Sequence, residues 1–170
     1  MKTSDQGRQF ISQAGVEGRE AGVYLDSNGK PTIGVGHLLT TSERMSGKIV
    51  IDELPVRYAN GLSNDQIDLL LRQDLARAEA AVNDGITAPL TQVQFDTLVA
   101  FVFNIGRTAF LKTGKGGGVC GVARAINEGR LQDVPGELRR WIYDDGVVIK
   151  GLINRRYYEI NLWLGGNYVV

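Results

Sequence analysis

Apolar residues recur at helical spacing over most of the chain, and the clearest run follows Ser63. Ser63 and Gln66 have the spacing of a capping box, and the apolar positions after them repeat at helical intervals as far as Gly85. These positions are Ile67, Leu70, Leu71, Leu75, Ala78, Ala81 and Val82. The pattern predicts one long helix over about residues 63–84.

Further helices are predicted on both sides of this long helix. Thr91 and Gln94 repeat the capping signature ahead of an apolar segment that ends at Gly106. Because this segment is apolar nearly all round, the helix should lie centrally in the fold. Ser4 is a typical N-cap residue for a shorter N-terminal helix. The other predicted helices cover residues 5–15, 119–128, 135–143 and 152–164.

The segment 22–40 shows a different pattern, in which short apolar pieces alternate with turn-forming residues. Residues 26–31 read Asp-Ser-Asn-Gly-Lys-Pro, a dense set of turn formers, and short apolar pieces lie on both sides of them. This pattern predicts a small, glycine-rich antiparallel sheet. In residues 41–62 the main feature is Ile49-Val50-Ile51, which fits either a strand or a buried loop, and no assignment is made there.

The order of these elements predicts an α+β fold in one domain that covers residues 1–170. A small sheet lobe is expected over about residues 16–62, and a larger helical lobe over about residues 63–170 together with the N-terminal helix. The long helix would join the two lobes. Neither internal repeats nor an interdomain linker interrupts this order.

The composition is that of an ordinary soluble globular protein. It is 43% hydrophobic and 22% charged, and 19 Lys and Arg residues balance 19 Asp and Glu residues. The chain therefore has no overall field that would attract nucleic acid or an anionic membrane, and neither is an expected partner. Cys120 is the single cysteine, so no intrachain disulfide can form. Basic residues are frequent in residues 139–156, where a solvated helix face is one interpretation.

Two carboxylates and a hydroxyl in the predicted sheet lobe are candidates for chemistry. Eight residues separate Glu17 from Asp26, and five more separate Asp26 from Thr32. Cleavage of a glycosidic bond needs an acid that protonates the leaving oxygen and a second carboxylate that activates water or stabilises the transition state. Glu17 and Asp26 can supply these groups, and the Thr32 hydroxyl can hold the water. The spacing alone is not specific, because many unrelated carboxylate pairs share it and Thr32 also suits a plain strand position.

The residues around these three positions resemble the signature of glycoside hydrolase family 24, the T-even phage lysozyme family. The resemblance begins with Glu17-Gly18, Tyr24, Asp26, Gly29 and Thr32-Ile33-Gly34-Val35-Gly36-His37. It continues in order through Gln94-Phe95-Asp96, Phe103-Asn104-Ile105-Gly106, Ala109-Phe110, Ala125-Ile126-Asn127 before Gly129, Trp141, Gly151-Leu152, Arg155-Arg156 and Glu159. Residues 45–62 and the glycine-rich loop 113–118 depart from the usual family pattern, which leaves loop shape and substrate range open.

The resemblance implies a lysozyme-like fold and an enzyme that hydrolyses the β-1,4 bond between N-acetylmuramic acid and N-acetylglucosamine in bacterial peptidoglycan. In this interpretation Glu17 is the acid, Asp26 is the base or charge stabiliser, and Thr32 holds the water. The expected reaction is a single displacement that inverts the anomeric centre. No metal or organic cofactor is implied. Peptidoglycan is the expected partner, and the protein is expected to be a monomer.

The family pattern also implies roles for residues outside this set. Arg155 matches an arginine that pairs with the catalytic glutamate. An arginine favours the ionised form of Glu17, whereas burial favours the neutral form that a general acid needs, and the sequence does not decide between them. Asn104 matches a position that faces the sugar amide, although a residue that caps the end of a helix fits equally well. His37, the only histidine, is expected beside Asp74 of the long helix, where it would serve the structure and not catalysis.

Two other functions stay open on the sequence. A lytic transglycosylase needs only the acid Glu17, because a hydroxyl of the muramic acid itself attacks, but the presence of Asp26 and Thr32 favours water as the nucleophile. A non-catalytic wall-binding module of a virion would usually lack Glu17, which is present. The sequence does not separate a lysis-stage endolysin from a virion-borne muramidase or a toxin domain.

The N-terminal sequence leads to an expectation about location. The first ten residues lack the apolar core of a signal peptide, and no run of about 18 apolar residues occurs in the chain. The protein is therefore expected to be made in the cytoplasm of the host bacterium. It would act on the cell wall after release by another factor.

Overall fold

The computed structural model describes residues 1–112 and 118–169. Its α-helices are α1 (Asp5–Ile11), α2 (Thr41–Ser46), α3 (Asn64–Gly85), α4 (Gln92–Ile105), α5 (Arg107–Lys112), α6 (Gly121–Asn127), α7 (Val134–Arg139) and α8 (Lys150–Trp163), with a 3-10 turn at Leu131–Asp133. Its strands are β1 (Glu20–Leu25), β2 (Pro31–Gly34), β3 (His37–Leu38), β4 (Lys48–Ile51), β5 (Leu54–Arg57), β6 (Tyr143–Asp144) and β7 (Val147–Val148). None of the helices in these residues is long and apolar enough to span a membrane. Most of the glycine-rich loop 113–118 lies outside the described residues.

The strands pair in small antiparallel sheets. Strands β1, β2 and β3 form one sheet, while β4 pairs with β5 and β6 pairs with β7. Of the two interpretations left open for Ile49-Val50-Ile51, the strand is correct, because these residues pair with residues 54–56 of β5. Sheets that precede a largely helical remainder confirm the predicted α+β class.

The predicted starts of three helices are confirmed by their caps. The Ser4 side chain accepts a backbone N–H at the start of α1. Complete capping boxes form between Ser63 and Gln66 at the start of α3, and between Thr91 and Gln94 at the start of α4. These contacts satisfy backbone N–H groups that the first turn of a helix leaves without intrahelical partners.

Helix α4 lies at the centre of the helical part of the molecule, as its apolar surface predicts. Its residues from Phe95 to Val102 are all buried. Helix α3 packs against α4 and also contacts β2, β3 and β4, so it joins the sheets to the helices as expected. The hydrophobic core is continuous across this junction, since it includes Ile33 of β2, Leu70 of α3 and Val99 of α4.

Two predicted helices are shorter than the sequence indicates, and two helices, α2 and α5, were not predicted. Helix α1 ends at Ile11 and not near residue 15, and turns occupy the residues that follow. Helix α7 ends at Arg139, so the prediction of a helix over residues 135–143 is wrong in its second half. Helix α5 starts directly after Gly106, where the prediction only ended the preceding helix.

A hairpin begins at Tyr143, the last residue of the predicted helix over residues 135–143. Tyr143-Asp144 pairs with Val147-Val148, and the two residues between them have positive φ values, +46° at Asp145 and +79° at Gly146. Asp-Gly is a typical sequence for a two-residue turn with that backbone conformation. The dipeptide was the signal that would have predicted this hairpin. It matters because β6 borders the cavity described next.

Candidate active site

A cavity of about 640 Å³ lies where the β1–β2 turn, the end of α4, strand β6 and the start of α8 come together. Its lining includes Glu17, Asn104 and Arg155, three of the residues selected from the sequence. Residues 27–28, which directly follow Asp26, line the same cavity. The fold therefore brings segments from both ends of the chain to one place.

Glu17 lies in the turns that follow α1. Its backbone N–H donates to the Ile11 carbonyl over 3.2 Å, and the next residue, Gly18, has a φ of +82°, which favours glycine. The carboxylate lies close to Gly36, since a Cβ added there would be 3.1 Å from Glu17 Oε2 and 3.4 Å from the ring of Phe103. Gly36 and Phe103 line a second cavity of about 620 Å³. Glu17 thus lines the first cavity and lies beside the second.

Arg155 holds the Glu17 carboxylate in place. Its Nη1 donates to a carboxylate oxygen of Glu17 and, over 3.0 Å, to the Val16 carbonyl. Its Nη2 donates to the Ala100 carbonyl over 2.8 Å, and its Nε donates to Glu159 Oε1 over 3.0 Å. The contact between Glu17 and Arg155 that the family resemblance implies is therefore present. All three guanidinium nitrogens of Arg155 are engaged, which fixes its orientation.

Arg155 belongs to a buried ion cluster with Arg156 and Glu159. Arg156 Nη2 donates to Glu159 Oε1 over 3.0 Å and to Asn104 Oδ1 over 2.9 Å. The Arg156 guanidinium also lies 5.0 Å from the centre of the Phe101 ring, within cation–π range. Burial lowers the pKa of Arg156 to about 10, and burial raises the pKa of Glu159. The charges of this cluster are kept inside the protein by mutual pairing.

This cluster corrects two interpretations of the sequence. The basic residues of the stretch 139–156 do not all lie on a solvated helix face, because Arg155 and Arg156 are only 3% and 1% exposed. They are buried because α8 turns them toward Glu17 and the end of α4. Asn104 lies in the last turn of α4 with Gly106 as the C-cap, so the helix-capping interpretation of Asn104 is wrong.

Asp26 follows β1, and its carboxylate closes the β1–β2 turn. The Oδ1 atom accepts hydrogen bonds from the backbone N–H groups of Asn28 (2.9 Å) and Lys30 (2.8 Å). The backbone N–H of Asp26 in turn donates to the Lys30 carbonyl over 3.0 Å. Within the described residues, Asp26 Oδ2 has no hydrogen-bond partner. The carboxylate is therefore fixed by one oxygen and has the other available.

Thr32 lies opposite Tyr24 in the pairing of β1 with β2. Its hydroxyl donates to the Lys30 carbonyl over 3.0 Å, and the residue is only 3% exposed. Because directly opposed residues of paired strands project from the same face, Tyr24 and Thr32 share one face of the sheet, and Asp26 follows directly after the end of β1. Burial raises the pKa of Tyr24, and the charges of Glu17, Glu20 and Asp26 raise it further, in that order of size. Both candidate carboxylates thus raise the pKa of the same phenol group.

His37 connects the first sheet to two helices. Its Nδ1 lies 2.8 Å from Asp74 Oδ2 of α3, and its Nε2 lies 3.3 Å from Glu43 Oε1 of α2. Burial alone would lower the pKa of His37, but the hydrogen bonds and charges of Asp74 and Glu43 outweigh burial and raise it. The expected contact with Asp74 is present. The sequence offered no prediction for Glu43, because α2 lies in the segment that was left unassigned.

Two residues, Glu159 and Tyr24, contribute to the site although the sequence gave them no separate role. Glu159 is spaced four and three positions from Arg155 and Arg156, which indicates helix contacts but not burial, since exposed helices show the same spacings. Tyr24 becomes relevant only through the register of β1 on β2. The spacing of Glu159 from the two arginines on α8 was therefore a weak sequence signal for the ion cluster.

The chain has clear relatives among known proteins. Residues 14–159 match the phage lysozyme family. The solved muramidase domain of SpmX from Asticaccaulis excentricus is 33% identical with a TM-score of 0.71, over 96% of this chain and 97% of that one. The endolysin of Salmonella phage P22 is 37% identical over 94 residues, 55% of this chain and 58% of the relative. The SAR-endolysin of Escherichia phage Mu is 34% identical over 140 residues, 82% of this chain and 69% of the relative.

The fold and these likenesses place the protein in the lysozyme-like fold class, the architecture that the sequence predicts. The chain belongs to the phage lysozyme family, because the match extends over most of its length. The resemblance found in the sequence is thereby confirmed. The chain spans only 58% and 55% of the length of the first curated relatives that it matches.

Proposed function

We propose that this protein is an endolysin-type muramidase that hydrolyses the β-1,4 bond between N-acetylmuramic acid and N-acetylglucosamine in bacterial peptidoglycan. The observation that carries the proposal is the position of Glu17, which lines a cavity bordered by the turn that Asp26 closes. Membership of the phage lysozyme family supports the same reaction class. The cell wall is then the place of action, and lysis of the host cell its result.

Glu17 is the proposed general acid. As the bond between the anomeric carbon and the leaving oxygen breaks, the Glu17 carboxyl group donates its proton to that oxygen. The Glu17 side chain is 20% exposed and contacts Arg155, so it combines access to the cavity with a fixed orientation. The carboxylate that remains after proton transfer is stabilised by the guanidinium of Arg155.

Asp26 and Thr32 are the proposed groups that prepare the water. Because the Thr32 hydroxyl donates its own proton to the Lys30 carbonyl, its oxygen can accept a hydrogen bond from water. Asp26 Oδ2 then takes a proton from that water while the remaining hydroxide oxygen bonds to the anomeric carbon. If water attacks the face opposite Glu17, the product has the inverted configuration, in a single displacement.

The products of digestion test this mechanism. Peptidoglycan digested by the protein is analysed by mass spectrometry, and the anomers are followed by NMR at early times. Fragments that carry an added water and an inverted anomeric centre support the proposal. Products of 1,6-anhydro-muramic acid type would instead identify a lytic transglycosylase, and initial retention would make Asp26 or another group a covalent nucleophile.

A second experiment separates an enzyme from a non-catalytic wall-binding module. Wild-type protein should clear a turbid suspension of permeabilised Gram-negative cells, whereas folded Glu17→Gln protein should not. Equal behaviour of the two proteins would favour a module that only binds. We also propose one domain over residues 1–170, because the hydrophobic core is continuous from β2 through α3 to α4, and we propose that this domain acts as a monomer. The molar mass of the purified protein in solution, measured by light scattering, tests whether it is a monomer.

A further inference from the structure

We propose that Glu159 is a positioning residue that orients the general acid and a substrate-facing amide together, through Arg155 and Arg156 respectively. The inference rests on the proposed function, because it assumes that Glu17 acts as the acid. Glu159 is fully buried and lines neither cavity, so it does not touch the substrate itself. Its role is to fix the two arginines that contact Glu17 and Asn104.

The geometry of α8 joins both arginines to one carboxylate. Glu159 Oε1 accepts from Arg155 Nε and from Arg156 Nη2, each over 3.0 Å, and Glu159 Oε2 lies 2.8 Å from Arg156 Nε. Residues three and four positions apart lie on neighbouring parts of a helix surface, so the backbone of α8 presents both arginines to Glu159. One buried group thereby sets the direction of two guanidinium groups.

The Arg156 branch determines which way the Asn104 amide points. A guanidinium has only hydrogen-bond donors, so the atom of Asn104 that lies 2.9 Å from Arg156 Nη2 must be the carbonyl oxygen Oδ1. The amide NH₂ is then the group available to the cavity that Asn104 lines. Asn104 therefore offers the substrate a donor, and its fitting partner is a carbonyl oxygen of a glycan substituent.

The Arg155 branch determines the charge around Glu17. The charged groups near the Glu17 carboxylate are Arg155, Arg156 and Glu159 of α8, and the ionisable phenol of Tyr24 of β1 also responds to it. Two guanidinium groups without a second carboxylate would hold Glu17 in the ionised form, which cannot donate a proton. The negative charge of Glu159 offsets one of them.

Glu159→Gln tests the inference, with Glu79→Gln as a matched control. Glu79 is also a buried glutamate, 6% exposed, but it holds Lys2 and Thr3 and lines neither cavity. In Glu159→Gln, kcat should fall about 10- to 100-fold, because the acid and the amide are no longer held in place. The alkaline limb of the pH–rate profile should move about one pH unit lower, because Glu17 loses its proton more readily beside two unbalanced arginines.

A merely structural role for Glu159 would give a different result. Both variants would then have a lower unfolding temperature and an unchanged pH–rate profile, which overturns the inference. If Glu159→Gln does not fold, Glu159→Asp decides, because it keeps the charge and shortens the side chain. The alkaline limb should then stay in place while kcat falls, and a wild-type kcat would overturn the inference. Glu17→Gln is measured alongside, since activity in that variant would contradict the proposed function and not only the role of Glu159.

Discussion

The two sides of the candidate active site hold their polar groups by different means. On the sheet side, Asp26 and Thr32 are fixed by hydrogen bonds to backbone groups of the same short turn, all within residues 26–32. On the helical side, Glu17 and Asn104 are fixed by arginines of α8 that are 138 and 52 positions away in the chain. The sheet side is therefore a local structure, and the helical side depends on tertiary packing.

The difference decides how each side should respond to substitution. Backbone hydrogen bonds within a turn survive a change of side-chain charge if an acceptor oxygen is kept. A buried ion cluster does not, because the removal of one partner leaves an unpaired buried charge at a cost of about 3–5 kcal/mol. Changes on the sheet side should alter the rate alone. Changes inside the cluster should alter both the rate and the stability.

The largest effect on rate is expected for Glu17→Gln. The variant keeps an acceptor oxygen for Arg155 but has no proton to give, so hydrolysis should slow by about 10²- to 10⁴-fold without unfolding. Rates of peptidoglycan hydrolysis and circular dichroism measure the two properties. Glu20→Gln, on the neighbouring strand and exposed, is the matched control and should keep normal activity. A folded Glu17→Gln protein with a normal rate would exclude Glu17 as the acid.

Asp26→Asn tests the sheet side and should also be severe, with a loss of about 10²-fold or more. Asparagine keeps an oxygen that can accept from the backbone N–H groups of Asn28 and Lys30, so the thermal midpoint should not change. The control is Asp52→Asn in the β4–β5 turn, where the exposed residue has a φ of +50° that asparagine tolerates. An unfolded Asp26→Asn protein would show that the turn needs the charge and that the sheet side is not held by backbone hydrogen bonds alone.

A smaller effect is expected from changes at Thr32. Thr32→Val removes the hydroxyl that donates to the Lys30 carbonyl, and Thr32→Ser keeps it. If the hydroxyl only orients the water, Thr32→Val should lose about 10- to 100-fold in kcat, and Thr32→Ser should stay close to the wild type. Equal kinetics of the two variants would mean that the hydroxyl has no part in the reaction.

The smallest effect on rate is expected for His37→Asn, which should act on stability and leave specific activity near normal. The folded-state pKa of His37 is raised by Asp74 and Glu43, so its stabilising contribution, about 1–3 kcal/mol, is fully present below an unfolded pKa of about 6.5. It is lost as pH rises through the folded pKa. Thermal unfolding of the wild type and of His37→Asn is measured between about pH 5 and pH 8. The difference between their midpoints should become smaller as the pH rises. Loss of activity in folded His37→Asn protein would contradict a structural role.

Much of the local structure could be predicted from the sequence because its causes lie within a few residues. The capping box of Ser63 and Gln66 and the turn formers in residues 26–31 act over three to six positions, and the structure forms both elements. The same holds in principle for the hairpin at Asp145-Gly146, whose turn sequence was present although no hairpin was predicted there. The identity of Glu17, Asp26 and Thr32 as candidates came from the family resemblance and not from their spacing.

The local elements and the set of candidate groups follow from the sequence alone, whereas the way in which those groups are held depends on tertiary packing. Nothing in the stretch 139–156 distinguishes a solvated arginine from Arg155, because burial depends on which surfaces pack against α8. Glu159 becomes the shared partner of two arginines only when α8 lies against α4 and the turn of Glu17. Short-range hydrogen bonds depend on neighbouring residues and can be predicted from them. The pairing of buried charges across 138 positions exists only after the chain has folded.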